Sequence, residues 1–84
     1  MKGESKMAKE ISFEIKKHLE VLFTSNTGWT RELNIVSWNG GKPKYDIRDW
    51  SSDHEKMGKG ITLNGEQAEM IIAAISADDS GIVE

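Results

Sequence analysis

The segment from Ile11 to Phe23 alternates between apolar and polar side chains, and this feature limits the possible folds of the chain more than any other. Apolar residues occupy nearly every odd position of the segment, and polar residues occupy most of the even positions. A period of two is typical of a strand with one buried face and does not fit an amphipathic helix. The segment therefore predicts a long first strand in a sheet with one covered side.

Turn signals then divide the chain into three more strands. The sequence SNTG at 25–28 and the sequence NGGK at 39–42 are hairpin turns, the second being the stronger signal because glycine supplies the positive φ that such turns need. A polar loop follows, and Gly58 and Gly60 permit a bulge around Lys59. Because every connection is short, the strands should form an antiparallel meander. The expected strands cover residues 29–38, 42–50 and about 58–63.

The last predicted element is a helix that starts after Asn64. Asn64 suits the N-cap, Gln67 stands three residues later, and Glu66 in the first turn complements the helix dipole. The helix should run from Gly65 to Ser76 or Ala77 and is apolar on most sides, so one sheet cannot cover it. A second copy of the chain is the expected cover, with an interface at Met70, Ile71, Ala74 and Ile75.

These elements predict an α+β fold, in which a four-stranded antiparallel sheet precedes one C-terminal helix in the order ββββα, assembled as a homodimer. One domain over residues 10–77 is expected between flexible ends at 1–9 and 78–84. The 84 residues are 37% hydrophobic and 30% charged, which is typical of one globular domain. The sequence shows no signal peptide and no apolar run long enough for a membrane span, and it has no cysteine, so we expect a cytoplasmic protein.

Charge is distributed unevenly along the chain. The net charge is −3, yet all eleven Lys and Arg residues precede Gly65, and the last twenty residues carry five acids and no base. If the C-terminal segment packs away from the rest, one surface can be basic although the molecule is acidic. A local basic patch decides whether a polyanion binds there.

The third predicted strand gathers cations on one face. Alternation places Tyr45 and Ile47 on one side of this strand. The residues on the other side are Lys42, Lys44, Asp46, Arg48 and Trp50. Single-stranded nucleic acid is bound by such a combination, because cations neutralise phosphates and exposed aromatic rings stack on bases. The alternative is an ordinary solvated strand face, with the tryptophans used for packing.

Nothing in the sequence requires an enzyme, a metal or another cofactor. His18 and His54 are far apart in the sequence, and the run Asp53-His54-Glu55 reads as a solvated loop with neither nucleophile nor second shell. The GKG at 58–60 lacks the spacing of a phosphate-binding loop. We therefore expect no catalytic and no metal-binding residues.

Residues 44–67, KYDIRDWSSDHEKMGKGITLNGEQ, carry a resemblance to a known family. The strand Tyr45–Trp50, the block KGITL at 59–63, and Asn64 with Glu66 and Gln67 occur in the order found in the C-terminal domain of the transcriptional positive cofactor 4 (PC4) family. The chain is most similar to the bacterial YdbC-like branch. The resemblance implies a curved four-stranded sheet and one helix, dimerised to form channels for single-stranded DNA.

The resemblance also implies a set of nucleic-acid-binding residues. They are an aromatic before the hairpin, a base after it, the Asp-Ile-Arg arginine, the closing aromatic and two lysines, which correspond here to Trp38, Lys42, Arg48, Trp50, Lys56 and Lys59. Arg31 and Lys44 join them on physical grounds as phosphate contacts. This sequence departs from the family pattern at Gly58, where a second base is common, and at Gly65, which replaces a proline.

The leading expectation is a non-enzymatic, sequence-tolerant binder of single-stranded DNA, or of single-stranded RNA, that acts in transcription, replication or repair. It would be cytoplasmic or associated with a bacterial nucleoid. The alternative is a protein-interaction adaptor in transcription regulation that contacts the transcription machinery and does not bind nucleic acid directly.

Overall fold

The computed structural model describes residues 11–82, which form one four-stranded antiparallel sheet and one helix. The strand order is β1-β2-β3-β4, so each strand pairs with the next along the chain. The predicted ββββα meander is confirmed. Residues 78–82 follow the helix without regular structure, and the expectation for residues 1–9 lies outside the described residues. The elements are β1 (Phe13–Thr24), β2 (Thr30–Trp38), β3 (Lys44–Trp50), β4 (Met57–Leu63) and α1 (Gly65–Ala77).

The turns form where the sequence places asparagine and glycine. Asn39 and Gly40 both have positive φ, 52° and 75°, and the N–H of Gly41 donates to the carbonyl of Trp38 at 2.8 Å. Two positive φ angles match the right-handed twist of the flanking strands, which is why Asn-Gly is favoured here. β3 starts at Lys44, two residues later than predicted, because Pro43 has no N–H to donate to a ladder.

The predicted first strand is confirmed, but the expectation from its near-strict alternation, that the odd positions share one face, is wrong beyond Ile15. Its pairing with β2 shifts by one residue in three places, at Lys16, Leu19 and Leu22, so that twelve residues of β1 face nine of β2. Each extra residue reverses the side chains that follow it and increases the local twist. As a result Phe13, Ile15, His18 and Val21, and not the odd positions throughout, share one face of the sheet.

The two faces of the sheet differ in chemistry. Residues opposite each other on paired strands point to the same side, and the register defines a polar face with Glu32, Asn34, Asp46, Arg48 and Thr62. The other side is the apolar face, which consists of Leu33, Ile35, Tyr45, Ile47, Ile61 and Leu63.

The polar face is more deeply buried than the apolar face. The completely buried residues are Asn34, Val36, Asp46 and Trp50, all on the polar face, where Phe13 of the curled strand β1 packs against Trp50. On the apolar face Ile61 is 53% exposed. The residues of the apolar face are thus less protected than those of the polar face, the reverse of the usual arrangement.

Helix α1 lies beside the apolar face and touches only β3 and β4. The predicted capping box is confirmed: the side chain of Asn64 accepts from the N–H of Gln67 at 2.8 Å, and the N–H of Asn64 donates to the side chain of Gln67 at 3.1 Å. No residue of α1 is buried. Within residues 11–82, no helix has the length and apolar character needed to cross a bilayer.

Candidate nucleic-acid interface

The four predicted lysine contacts are exposed, but they do not all lie on the polar face. Lys59 precedes Gly60, which faces Arg48, so its side chain points away from that face at the edge strand β4. Lys44 begins β3 and points to the polar face together with Arg48. The remaining three lie in the β2–β3 connection, in the β3–β4 loop and in β4, at Lys42, Lys56 and Lys59. Flexible ammonium groups at such positions can neutralise phosphates at little desolvation cost.

The predicted bulge around Lys59 is confirmed. The pairing of β3 with β4 runs regularly from Tyr45 to Arg48, and then shifts, so that Trp50 lies opposite Met57. Gly60 faces Arg48 in this ladder, and a β-carbon on Gly60 would lie 2.9 Å from the α-carbon of Arg48 and closer still to its β-carbon. Glycine is therefore needed where β4 passes the arginine.

Arg48 is fixed in an internal ion pair. Its Nε and Nη2 donate to both carboxylate oxygens of the completely buried Asp46, at 2.7 and 2.9 Å, and its Nη1 donates to the carbonyl of Gly58 at 3.3 Å. Thr62 donates to the same carboxylate at 2.9 Å. A bidentate pair of this kind is rigid. Most donors of Arg48 are thus occupied, and its main role is to hold the centre of the polar face.

Trp38 lies beside this arginine and keeps part of its ring accessible. The guanidinium carbon of Arg48 is 4.7 Å from the centre of the Trp38 ring, a cation–π distance, and Phe13 lies 5.9 Å away at a tilt. Trp38 is half-buried, with its indole N–H covered. Arg48 and Phe13 therefore hold the ring from two sides. The part of the ring that they leave open is the surface on which a base can stack.

The expectation that Trp50 offers an open ring is wrong. Trp50 is 0% exposed. Phe13 lies 5.1 Å from its ring centre, and the imidazole of His54 stacks at 5.7 Å with an interplanar angle of 26°. Phe13 from the distant strand β1 and His54, four residues later in the β3–β4 loop, cover the indole, so Trp50 is a packing residue of the polar face.

Arg31 does not lie with the other cations. Arg31 lies across from Phe23 and Asp49 on the neighbouring strands, and its side chain points to the face of the sheet that does not carry Glu32. Its Nε donates to Asp49 at 2.9 Å. The guanidinium is about half exposed. The expected grouping of Arg31 with Lys44 and Arg48 on one surface is therefore not observed.

The sequence analysis did not identify a cluster of hydrogen-bonded side chains around Glu32 on the polar face. Glu32 has only 5% of its side chain exposed and lies between two histidines, with His54 Nε2 2.8 Å from Oε2 and His18 Nδ1 3.5 Å from Oε1. Asn34 Nδ2 and Thr30 Oγ1 also donate to the carboxylate. We call Glu32, His18 and His54 the histidine–glutamate cluster.

The loop that carries His54 is consequently anchored and not a freely solvated segment. His54 has a positive φ of 61°, and its half-buried ring bridges from Trp50 to Glu32 across the sheet. The available sequence signal was the polar character of Glu32 and Asn34 at alternate positions of β2. This signal could not identify the histidines as partners, because His18 lies beyond two bulges of β1 and His54 lies in a loop.

Burial and hydrogen bonding act in opposite directions on the charge of Glu32. Burial raises the pKa of the Glu32 carboxyl, but hydrogen bonds from Thr30, Asn34 and His54 outweigh this and hold the pKa below its ordinary value. The carboxylate is thus ionised near neutral pH. Within residues 11–82, no group of three or more His, Cys, Asp or Glu side chains is placed to hold a metal ion.

The family model for the transcriptional coactivator p15 (PC4) matches residues 25–74, more than half of the chain. The chain belongs to the PC4 family. A protein of Treponema pallidum (strain Nichols), described only as uncharacterized, is 47% identical over 62 residues, which cover 74% of this chain and 71% of that protein.

Membership in the PC4 family supports a nucleic-acid-binding role in the coarse sense, because the family is known for single-stranded DNA binding and transcription coactivation and is non-enzymatic. The matched region contains β2, β3, β4 and most of α1, and it leaves out β1. Trp38, Lys44 and Arg48 lie inside the match. Phe13 and His18 lie outside it, so the part of the polar face built by β1 is not covered by the family match.

Proposed function

We propose that this PC4-family protein binds single-stranded nucleic acid on the polar face of its sheet, without strong sequence preference, and acts in transcription. The observation that carries the proposal is the partly open Trp38 ring, fixed by the Arg48–Asp46 pair beside exposed lysines, on a sheet of this family. Stacking on an aromatic ring contributes about 1–3 kcal/mol per base. The proposed phosphate contacts are Lys42, Lys44 and Lys56, with Lys59 reaching the strand from the edge of the sheet.

The proposed roles of the other predicted residues follow from their contacts. Arg48 and Trp50 act as positioning residues, since the guanidinium is paired and the indole is covered. Phosphate contacts then come mainly from lysines, which bind as point charges and read no sequence. This division of labour supports sequence-tolerant binding.

The proposed assembly is a homodimer that covers the apolar face. A groove of about 460 Å³ lies between α1 and the sheet and is lined by apolar side chains that include Leu33, Ile47 and Ile71. The Cα radius of gyration is 15.5 Å, larger than the roughly 13 Å of a compact 100-residue domain. The exposed helix residues proposed for the interface are Met70, Ile71, Ala74 and Ile75.

Titration with a labelled oligo-dT strand tests the binding function. We expect quenching of tryptophan fluorescence and an affinity that falls steeply with salt, since counterions are released from the phosphates. Lys44→Ala should weaken binding and lower the salt slope by about 0.7. Arg31→Ala is the matched control, because it removes one cation from the opposite side of the sheet and should leave affinity within about twofold.

An equal loss of affinity in both variants would place the contact elsewhere, and a folded wild-type protein that ignores the oligonucleotide at low salt would contradict the proposal. The open apolar groove favours a second candidate, a protein-interaction adaptor. A monomer in sedimentation that ignores oligonucleotides and captures a transcription protein through this groove would support that function instead.

A further inference from the structure

The histidine–glutamate cluster lies on the proposed binding face and is not used by the function described above. Its side chains surround a pocket of about 260 Å³, lined also by Ile15, Val21 and Asn34. The pocket is open to solvent, and the two imidazole side chains are 50% and 40% exposed. A buried carboxylate with two half-exposed histidines is a costly arrangement at a surface meant for a polyanion. Its value there requires an explanation.

The hydrogen-bond network assigns one proton to each imidazole. Asn34 uses its NH₂ group to donate to Glu32, so its Oδ1 must accept, and the proton of this contact at 2.7 Å belongs to Nδ1 of His18. The ionised carboxylate of Glu32 can only accept, so Nε2 of His54 carries a proton as well. Nε2 of His18 and Nδ1 of His54 are the nitrogens that gain a proton when the rings become charged.

The charge of the cluster therefore changes sign on protonation. With both rings neutral the cluster has one net negative charge from Glu32. With both rings protonated it has one net positive charge, and each ring gains a second N–H that no described protein group accepts. Charge-assisted N–H donors of this kind bind phosphate oxygens. Asn34 orients the ring of His18, and Glu32 orients the ring of His54.

We propose that the pocket over Glu32 is a phosphate subsite of the nucleic-acid interface, formed by His18 and His54 and occupied when both rings are protonated. The inference rests on the proposed function, since the phosphate is that of the bound strand. The other groups around this pocket do not provide an alternative source of pH dependence. Ile15 and Val21 flank His18 on its own strand. Beside His54, the Asp53 carboxylate is engaged by Ser51 and by the N–H of Glu55, and the side chain of Glu55 is exposed.

The composition makes the proposal unusually easy to test. The chain has two histidines and no cysteine, so these imidazoles are the side chains whose ordinary pKa lies between pH 5 and 8. Lowering the pH from about 8 to about 5.5 should strengthen binding of a labelled oligo-dT strand by about tenfold. The salt slope should steepen by up to about 1.4, the value for two added phosphate contacts on a single strand.

The double variant H18Q/H54N should lose this pH dependence. Glutamine suits a strand position, and asparagine tolerates the positive φ at residue 54. Lys44→Ala is the matched control, which should weaken binding at both pH values and keep their ratio. A tenfold pH effect that survives in the folded double variant would overturn the inference, as would a wild-type affinity that does not change with pH. Either result leaves the proposed function intact if oligo-dT still binds.

A second measurement does not depend on variants. In NMR spectra of the wild-type protein at about pH 5.5, saturating oligo-dT should shift the imidazole resonances of both histidines, because a phosphate oxygen then accepts from their N–H groups. Imidazole resonances that stay unchanged in the bound state would overturn the subsite. A folded wild-type protein that binds no oligonucleotide at either pH would overturn the proposed function and this inference with it.

Discussion

At the scale of single residues, the polar face is organised by an arginine that is itself nearly buried. Arg48 has 15% of its side chain exposed, and it neutralises Asp46, supports Trp38 and approaches the backbone of β4. Removing one partner of a buried ion pair costs about 3–5 kcal/mol, because the other charge is left unpaired. Arg48→Ala would thus disturb folding as well as binding, and lysine variants are the cleaner probes of phosphate contact.

Gly60 gives the sharpest prediction at this scale. In Gly60→Ala the new methyl group would meet the backbone and β-carbon of Arg48 and the carbonyl of Ile47. Overpacking of this kind costs about 1–3 kcal/mol, and a backbone clash puts the expected loss at the upper end. Urea unfolding should show this loss.

Gly65→Ala is the matched control for that substitution. Apart from its chain neighbours and the backbone of α1, no atom of the described residues lies within 4 Å of a β-carbon at Gly65, which is in the first turn of α1. Alanine in an open helical position should keep or raise stability, by up to about 1 kcal/mol. Equal stability of the two variants would show that β4 does not approach Arg48 as described.

At the scale of elements, the local parts of the fold could be predicted from sequence and the long-range parts could not. The Asn39–Gly40 turn and the Asn64 cap depend on neighbouring residues, so their chemistry is visible in the sequence. The bulges of β1 are invisible to a period-two pattern. The burial of Trp50 requires Phe13, which is distant in the sequence, and a loop conformation that brings His54 back over the ring.

The same limit applies to the candidate site. Alternation correctly placed Lys44, Asp46 and Arg48 on one face, because β3 is regular over those positions. It did not reveal that the arginine is paired internally or that Arg31 lies on the other side. The two histidines were separated by 36 positions in sequence and met only through Glu32.

Helix α1 carries the prediction at the element scale. Ile71 is 42% exposed at the groove beside the sheet, and Ile71→Glu would place a charge in the proposed dimer interface. The expected result is a shift from dimer to monomer in sedimentation, because an unpaired buried charge costs several kcal/mol.

Glu66→Gln provides the control, since Glu66 is an exposed first-turn residue and its replacement should leave the dimer intact. A wild-type protein that sediments as a monomer at high concentration would contradict the proposed assembly. So would an I71E variant that remains fully dimeric.

At the scale of the whole molecule, the two faces of the sheet differ in how completely the chain covers them. On the polar face, Glu32, Asn34, Asp46 and Arg48 are paired with one another and with their neighbours, whereas the buried indole N–H groups of Trp38 and Trp50 have no partner among the described residues. The apolar face is left open beside α1. Two protomers joined through their apolar faces would direct both polar faces outward. The acidic residues of α1, Glu66 and Glu69, would then lie away from the phosphates, which reconciles a net charge of −3 with a polyanionic ligand.

The most direct test of the central claim is NMR chemical-shift mapping of the ¹⁵N-labelled protein with oligo-dT. The largest shifts are expected at Trp38, including its indole N–H, and at Lys44 and Arg48, with small changes along the exposed side of α1. Shifts concentrated on the apolar face or on α1, or no shifts at saturating oligonucleotide, would contradict the central claim.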